Sequence, residues 1–255
     1  MAKRTRNPGE FCWINMITPQ SQEARTFFAA MLGWTYGELP GMGHYIEVGG
    51  SRIGGLYDLS GPDMPPGTRP HIGVMVKVAS ADATAEKAIS LGGSAKSAFD
   101  ISDQGRMSMC TDPNGAAFDL WQPIKGQGTD VDSTLHGAPS WCESLTTDVD
   151  RGAAFYRDLF GWTSEDMPMP GMRYTIFKRG GESLAGMMAI TPAMGLVPPH
   201  WSTYFTVRNT DELLAKAVPL GAKVVVEPQN VPGTGRFAGV ISPQGVAFHV
   251  IQYIR

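Results

Sequence analysis

Phe27-Phe28-Ala29-Ala30-Met31-Leu32-Gly33-Trp34 returns as Phe155-Tyr156-Arg157-Asp158-Leu159-Phe160-Gly161-Trp162, 128 positions later (27 to 155, 34 to 162). Upstream, Trp13-Ile14-Asn15-Met16 and Trp141-Cys142-Glu143-Ser144 keep the same offset. Downstream, Gly105-Arg106 and Asp112-Pro113-Asn114-Gly115-Ala116-Ala117-Phe118-Asp119 correspond to Gly235-Arg236 and Ser242-Pro243-Gln244-Gly245-Val246-Ala247-Phe248-His249, now 130 apart (106 to 236, 119 to 249). So small a drift over so long a stretch means duplication of a whole domain rather than a short solenoid repeat. The 255 residues divide into two domains of roughly 120 residues, an ordinary domain size. They span residues 9–124 and 138–253, and the polar, Gly-bearing segment 125–137 reads as their linker.

A formal net charge of −3 with 18% charged residues and no basic run excludes a nucleic-acid partner. No apolar run approaches the ~18 residues of a membrane span, and the basic Met1 to Pro8 leads into no signal-peptide core. With Cys12, Cys110 and Cys142 in no CxxC spacing, the expectation is a reduced, cytoplasmic protein.

Phe11 to Thr18 alternates in character, as a two-faced strand does. The Phe stripe that follows has helical spacing and stops at Gly33 or Gly161, with Asp148 a candidate N-cap in the second copy. Such a stripe is core, not chemistry. Pro40-Gly41-Met42 and Pro170-Gly171-Met172 then mark turns before strands opening at Tyr45 and Tyr174. Gly-Gly turns and short strands through Ile53-Gly54-Gly55-Leu56 and Leu184-Ala185-Gly186-Met187 complete one β-α-β-β-β unit. The Pro- and Gly-rich stretches Gly61 to Pro70 and Pro192 to Pro199 lead to His71 and His200, each opening a second such unit. That unit ends in the Pro-x-Gly hairpin. The expected fold class is α+β: four β-α-β-β-β units in two tandem domains.

These landmarks resemble the vicinal oxygen chelate superfamily of glyoxalase I, fosfomycin and bleomycin resistance proteins, and extradiol dioxygenases. More closely, the chain is similar over about residues 10–253 to tandem glyoxalase-like proteins of actinobacteria labelled hydroxylases or secreted antigens. The resemblance implies incomplete eight-stranded barrels, each with a ligand cavity, the units pairing either within or across copies. It also implies metal ligands on the first and last strands of units. Carried over by position, these become Trp13, Gly73, Gly54 or Gly55, and Asp119 in the first copy, and Trp141, Ser202, Gly186 or Met187, and His249 in the second. One strong ligand per cavity, Asp119 or His249, is too few for an ion, so no cofactor is expected, with a divalent metal left open.

Alternation places Glu143 on the same face as Trp141, and Tyr204 on that of Ser202, while Cys142 turns toward the helices. The second cavity therefore gathers Trp141, Glu143, Ser202, Tyr204 and His249. A carboxylate and an imidazole in an apolar cup suit acid-base catalysis, so Glu143 and His249 are the catalytic candidates. Equally, they make a satisfied buried pair. Trp13, Asn15 and Asp119 join the substrate-binding candidates from the first cavity, which also holds Met75, Ala117 and Trp121. Trp13 and Trp141 are either plugs or stacking walls. Arg106 and Arg236 follow a Gly in both copies, which favours a fixed salt bridge, and His71 and His200 favour surface contacts.

Three functions remain open. The first is metal-independent lyase or isomerase chemistry on a small apolar or aromatic metabolite. The second is non-catalytic drug or metabolite binding. The third is a metal-dependent lyase or dioxygenase using His44, His71 or His200 with Asp119 or Glu47. Oligomeric state is not legible.

Overall fold

The Phe-bearing helices α1 (Ser21–Leu32) and α3 (Val149–Phe160) end where the chain supplies glycine: Gly33 (φ 66) and Gly161 (φ 70) are left-handed and return their N–H groups to Ala29 and Arg157 carbonyls. Asp148 caps α3, its side chain accepting from Arg151 N–H at 3.0 Å. The computed structural model describes residues 4–61, 64, 67–169 and 171–254. Pro170 of the second Pro-Gly-Met turn and part of the 61–70 stretch lie outside them.

In the first copy β1 (Phe11–Thr18) is followed by α1, β2 (Thr35–Leu39), β3 (Gly43–Val48) and β4 (Ser51–Asp58). The second unit runs β5 (His71–Lys77), α2 (Ala81–Ser90), the short β6 (Ser94–Ala95) and β7 (Phe99–Ile101), β8 (Gly105–Thr111) and β9 (Ala117–Pro123). The second copy repeats this plan with β10 (Pro139–Thr146), α3, β11 (Thr163–Met169), β12 (Met172–Arg179) and β13 (Glu182–Ala189). It closes with β14 (His200–Thr206), α4 (Thr210–Ala217), β15 (Lys223–Val231), β16 (Gly235–Ile241) and β17 (Ala247–Tyr253).

The sheets are ordered β2-β3-β4-β1-β5-β9-β8-β6, with β7 also on β8, and β11-β12-β13-β10-β14-β17-β16-β15. Antiparallel pairs β1–β5 and β10–β14 join the two units of each copy, so the incomplete barrels close within copies. The fold is α+β, four units in two tandem half-barrels.

The cores, by contrast, cross between copies. Phe27, Phe28, Leu32 and Trp34 share one cluster with Phe205, Leu213 and Phe248, the ring centroids of Phe28 and Phe248 lying 5.1 Å apart. Phe155, Tyr156, Leu159 and Trp162 share the other with Ala85, Cys110 and Phe118. Two indole bonds repeat the exchange: Trp34 Nε1 donates to Gly137 O, and Trp162 Nε1 to Gly9 O, each at 2.8 Å. The 125–137 segment is tied down, with Val131 buried and its carbonyl accepting from Arg6 at 3.0 Å. All three cysteines are free and buried, and no described helix is long and apolar enough to cross a membrane.

Because each core draws side chains from both copies, Phe28→Ala is expected to cost about 3–5 kcal/mol and lower the stability of both together. Urea unfolding followed by fluorescence and by circular dichroism should give one coincident transition at lower midpoint. Two separated transitions would mean that the copies fold independently.

Candidate functional site

Alternation along β10 puts Cys142 into the helix-side core and Trp141 and Glu143 on the concave face. In register, Glu143 lies between Gly186 of β13 and Ser202 of β14, and Tyr204 lies between Trp141 and His249 of β17. The second cup thus brings together Trp141, Glu143, Ser202, Tyr204 and His249.

Their bonding is specific. Glu143 Oε1 accepts the Tyr204 hydroxyl at 2.8 Å and Oε2 the Tyr174 hydroxyl at 2.7 Å. Trp141 Nε1 donates to the same Tyr174 oxygen at 3.0 Å, fixing the indole as a wall. His249 stacks on Tyr204, with ring centroids 4.5 Å apart and planes at 16°, and its Nδ1 is buried without a hydrogen-bond partner among the described residues. Glu143 and His249 make no direct bond among the described residues; the Tyr204 ring joins them.

Tyr174 enters the site because Gly186 has no side chain, since a Cβ there would collide with its hydroxyl. Gly239 does the same for His249: a Cβ would stand 3.0 Å from Nε2. Sequence reasoning placed Tyr174 only at a strand start and missed Gly239. The available signal was a glycine on the strand beside a candidate residue.

Burial raises the Glu143 carboxyl above the ordinary glutamate range, and the two phenol bonds oppose that only in part. Burial pulls His249 down to about 4, helped by His200, so its imidazole is neutral at physiological pH.

The first cup is poorer. Asn15 Nδ2 donates to Asp119 Oδ2 at 2.9 Å, and Trp13 stands edge-on to Tyr45 with centroids 6.2 Å apart. Elsewhere, Arg106 clamps Asp82 and Arg236 clamps Asp211, tying strand starts to helix first turns. His71 and His200 each contact a carbonyl two residues back, at 2.8 Å. These four side chains serve architecture.

Residues 139–250 match the Glyoxalase/Bleomycin resistance protein/Dioxygenase superfamily, and residues 13–121 the Glyoxalase-like domain. A protein of Mycobacterium tuberculosis that carries the name glyoxylase CFP32 is 36% identical over 248 residues, covering 94% of this chain and 93% of its own. The chain belongs to this superfamily. The anthracycline biosynthesis protein DnrV of Streptomyces peucetius is 27% identical over 260 residues, 96% of this chain and 94% of its own. Among solved structures, the Mn(II)-bound glyoxalase of Novosphingobium aromaticivorans superposes with a TM-score of 0.67 at 14% identity, covering 97% of this chain and 83% of that one. A catechol 2,3-dioxygenase gives a TM-score of 0.64 at 11% identity, covering 98% and 94%. At such identities the two structures speak for the fold alone.

The superfamily implies a metal, and the residues here do not fit one. Gly55, Gly73 and Gly186 offer no donor, and the Tyr174 hydroxyl takes the space of a side chain at 186. Among the described residues, no three of His, Cys, Asp and Glu gather to hold an ion, including His44, His71, His200, Glu47 and Asp119.

His249 gives a pH test. The folded ring takes a proton only near about pH 4, the unfolded one near 6.5, so between these values the unfolded chain binds more protons and stability falls as pH drops. His249→Phe keeps a ring on Tyr204 and removes that loss. Urea midpoints measured across this window should therefore fall less steeply in the variant than in wild type.

Proposed function

We propose that the second cup takes a small apolar or aromatic metabolite and moves a proton on it without a metal, in the manner of a lyase or isomerase. The observation that carries this reading is the Glu143 carboxyl, buried, its pKa raised by that burial, and held by two tyrosine hydroxyls beside a neutral imidazole. In this reading the Glu143 carboxylate takes a proton from a carbon beside a carbonyl. The unpartnered Nδ1 of His249, carrying the proton of the neutral ring, donates to the oxygen where charge collects, and Glu143 then returns the proton. Trp141, Ser202 and Tyr204 form the binding surface. Relatives named for glyoxylase activity and for anthracycline biosynthesis support such chemistry on an aromatic ligand, since anthracyclines are fused-ring aromatic compounds and the fixed Trp141 ring offers a flat wall.

One observation favours a non-catalytic binder instead: both Glu143 oxygens already accept a phenol, which leaves the carboxylate little freedom to take a proton. Exchange separates the readings. EDTA-treated protein is mixed with 2-hydroxy-1-phenylethanone in D2O, and deuterium uptake beside the carbonyl is followed by NMR. The expected outcome is acceleration by wild type, lost about 100-fold or more in Glu143→Gln and also weakened in His249→Ala. No acceleration by wild type, with binding abolished by Trp141→Ala, would select the binder.

A further inference from the structure

The β11–β12 hairpin carries Met167-Pro168-Met169 on one strand and Met172 at the start of the other. Met169 lies directly opposite Met172, and Met167 opposite Tyr174. Residues two apart along a strand share a face, so the three methionines stand together, two along β11 and one across the pair. Side chains directly opposite start about 5 Å apart and diagonal ones about 7–8 Å, and the long, flexible methionine side chain spans both. Three thioether sulfurs can therefore meet at one point.

This tip is where the two copies differ in length. Ile46 faces Gly54 across β3–β4 and Phe177 faces Ala185 across β12–β13, and these positions are made equivalent by their shared pairing with Ile14 and Cys142. The chain runs from Trp34 to Ile46 in the first copy and from Trp162 to Phe177 in the second, which makes the second hairpin three residues longer (34 to 46 against 162 to 177). Its tip holds three methionines, where the first tip has Met42 alone.

Packing does not account for them. Met167 is 40% exposed, Met169 and Met172 are half-buried, and none belongs to either of the crossed cores. The oxygen donors close by are engaged: Asp166 accepts from Thr175 at 2.8 Å and from Arg173 at 2.9 Å, and Glu165 pairs with Lys178. What the tip offers is sulfur. Thioethers are soft, uncharged, polarisable donors that suit Cu(I), whereas Mg(II) and Ca(II) take oxygen. The tip is also open: β11 is the outermost strand of its sheet, with β12 and β13 between it and Glu143 on β10. An ion reaches Met167 without entering the cup.

We propose that the tip of the β11–β12 hairpin binds a soft monovalent metal cation of the Cu(I) type, held by the thioether sulfurs of Met167, Met169 and Met172. This site is separate from the second cup and independent of its proton-transfer reading.

The test uses the full chain with 13C-labelled methionine methyl groups, and Ag(I) nitrate in chloride-free buffer as the probe, an ion of the same charge and softness. Each methyl is read separately by NMR, so binding at the three buried cysteines does not imitate the signal. The Met167, Met169 and Met172 methyls should shift together and saturate with a Kd of about 10 μM or tighter, while Met42, 50% exposed, stays in place. Zn(II) at the same concentration should move none of them. Met169→Leu and Met172→Leu, close in volume to the originals, should keep the melting temperature near wild type and each weaken binding about tenfold or more. Met42→Leu and Glu143→Gln should leave it unchanged. The proposal is overturned if the three methyls shift no more than Met42, if they shift at separate concentrations, if Zn(II) moves them equally, or if Met169→Leu leaves the shifts of Met167 and Met172 intact.

Discussion

Everything else in the molecule depends on the docking of each copy's first helix against the other copy's second unit. A half-barrel leaves an apolar convex face that must be covered, and here Phe27, Phe28 and Trp34 cover Phe205 and Phe248, while Phe155, Tyr156 and Trp162 cover Phe118. The indole bonds sit where each copy enters its first strand, Trp34 to Gly137 and Trp162 to Gly9. Neither half-barrel has a complete core without the other. That constraint fixes the Phe stripe, the Gly stop and the Trp in both copies, and it places no demand on the concave faces.

Freed of that duty, the two cups share a frame and differ in chemistry. At matching register stand Asn15 and Glu143, Gly73 and Ser202, Met75 and Tyr204, Asp119 and His249. The acid is on the last strand in one cup and on the first strand in the other. In the first, an amide meets a carboxylate, and a negative charge remains. In the second, phenols hold the carboxyl and a neutral ring lies behind them, with room made by Gly239.

The α+β units, their order and the helix ends were legible because each depends on short-range periodicity or on a glycine that must be left-handed, as at Gly33 and Gly161. Alternation also sorted Cys142 from Trp141 and Glu143. Unit pairing was not legible, because β1 and β10 are equally able to pair with either second unit until the helices choose a sheet. Nor was Tyr174: it lies on β12 opposite Met188, two positions beyond Gly186, so its hydroxyl arrives diagonally across the β12–β13 pair. Glu143 and His249 were read as neighbours, yet β14 runs between their strands and Tyr204 mediates.

Gly186 and Gly55 carry the last step of the argument. Both stand on the fourth strand of a first unit, beside Glu143 and Asn15, and both leave a gap that a tyrosine hydroxyl fills. The tyrosines differ in origin: Tyr174 comes from the neighbouring strand β12, Tyr57 from two residues further along β4 itself. A gap filled twice by different routes belongs to the frame rather than to either tyrosine. Any larger side chain at 186 would expel the Tyr174 hydroxyl, and with it the bonds that fix Trp141 and hold Glu143. The bonding that holds Glu143 is therefore built on the absence of a side chain at 186, one of the two positions, 186 or 187, from which the superfamily's resemblance would draw a metal ligand.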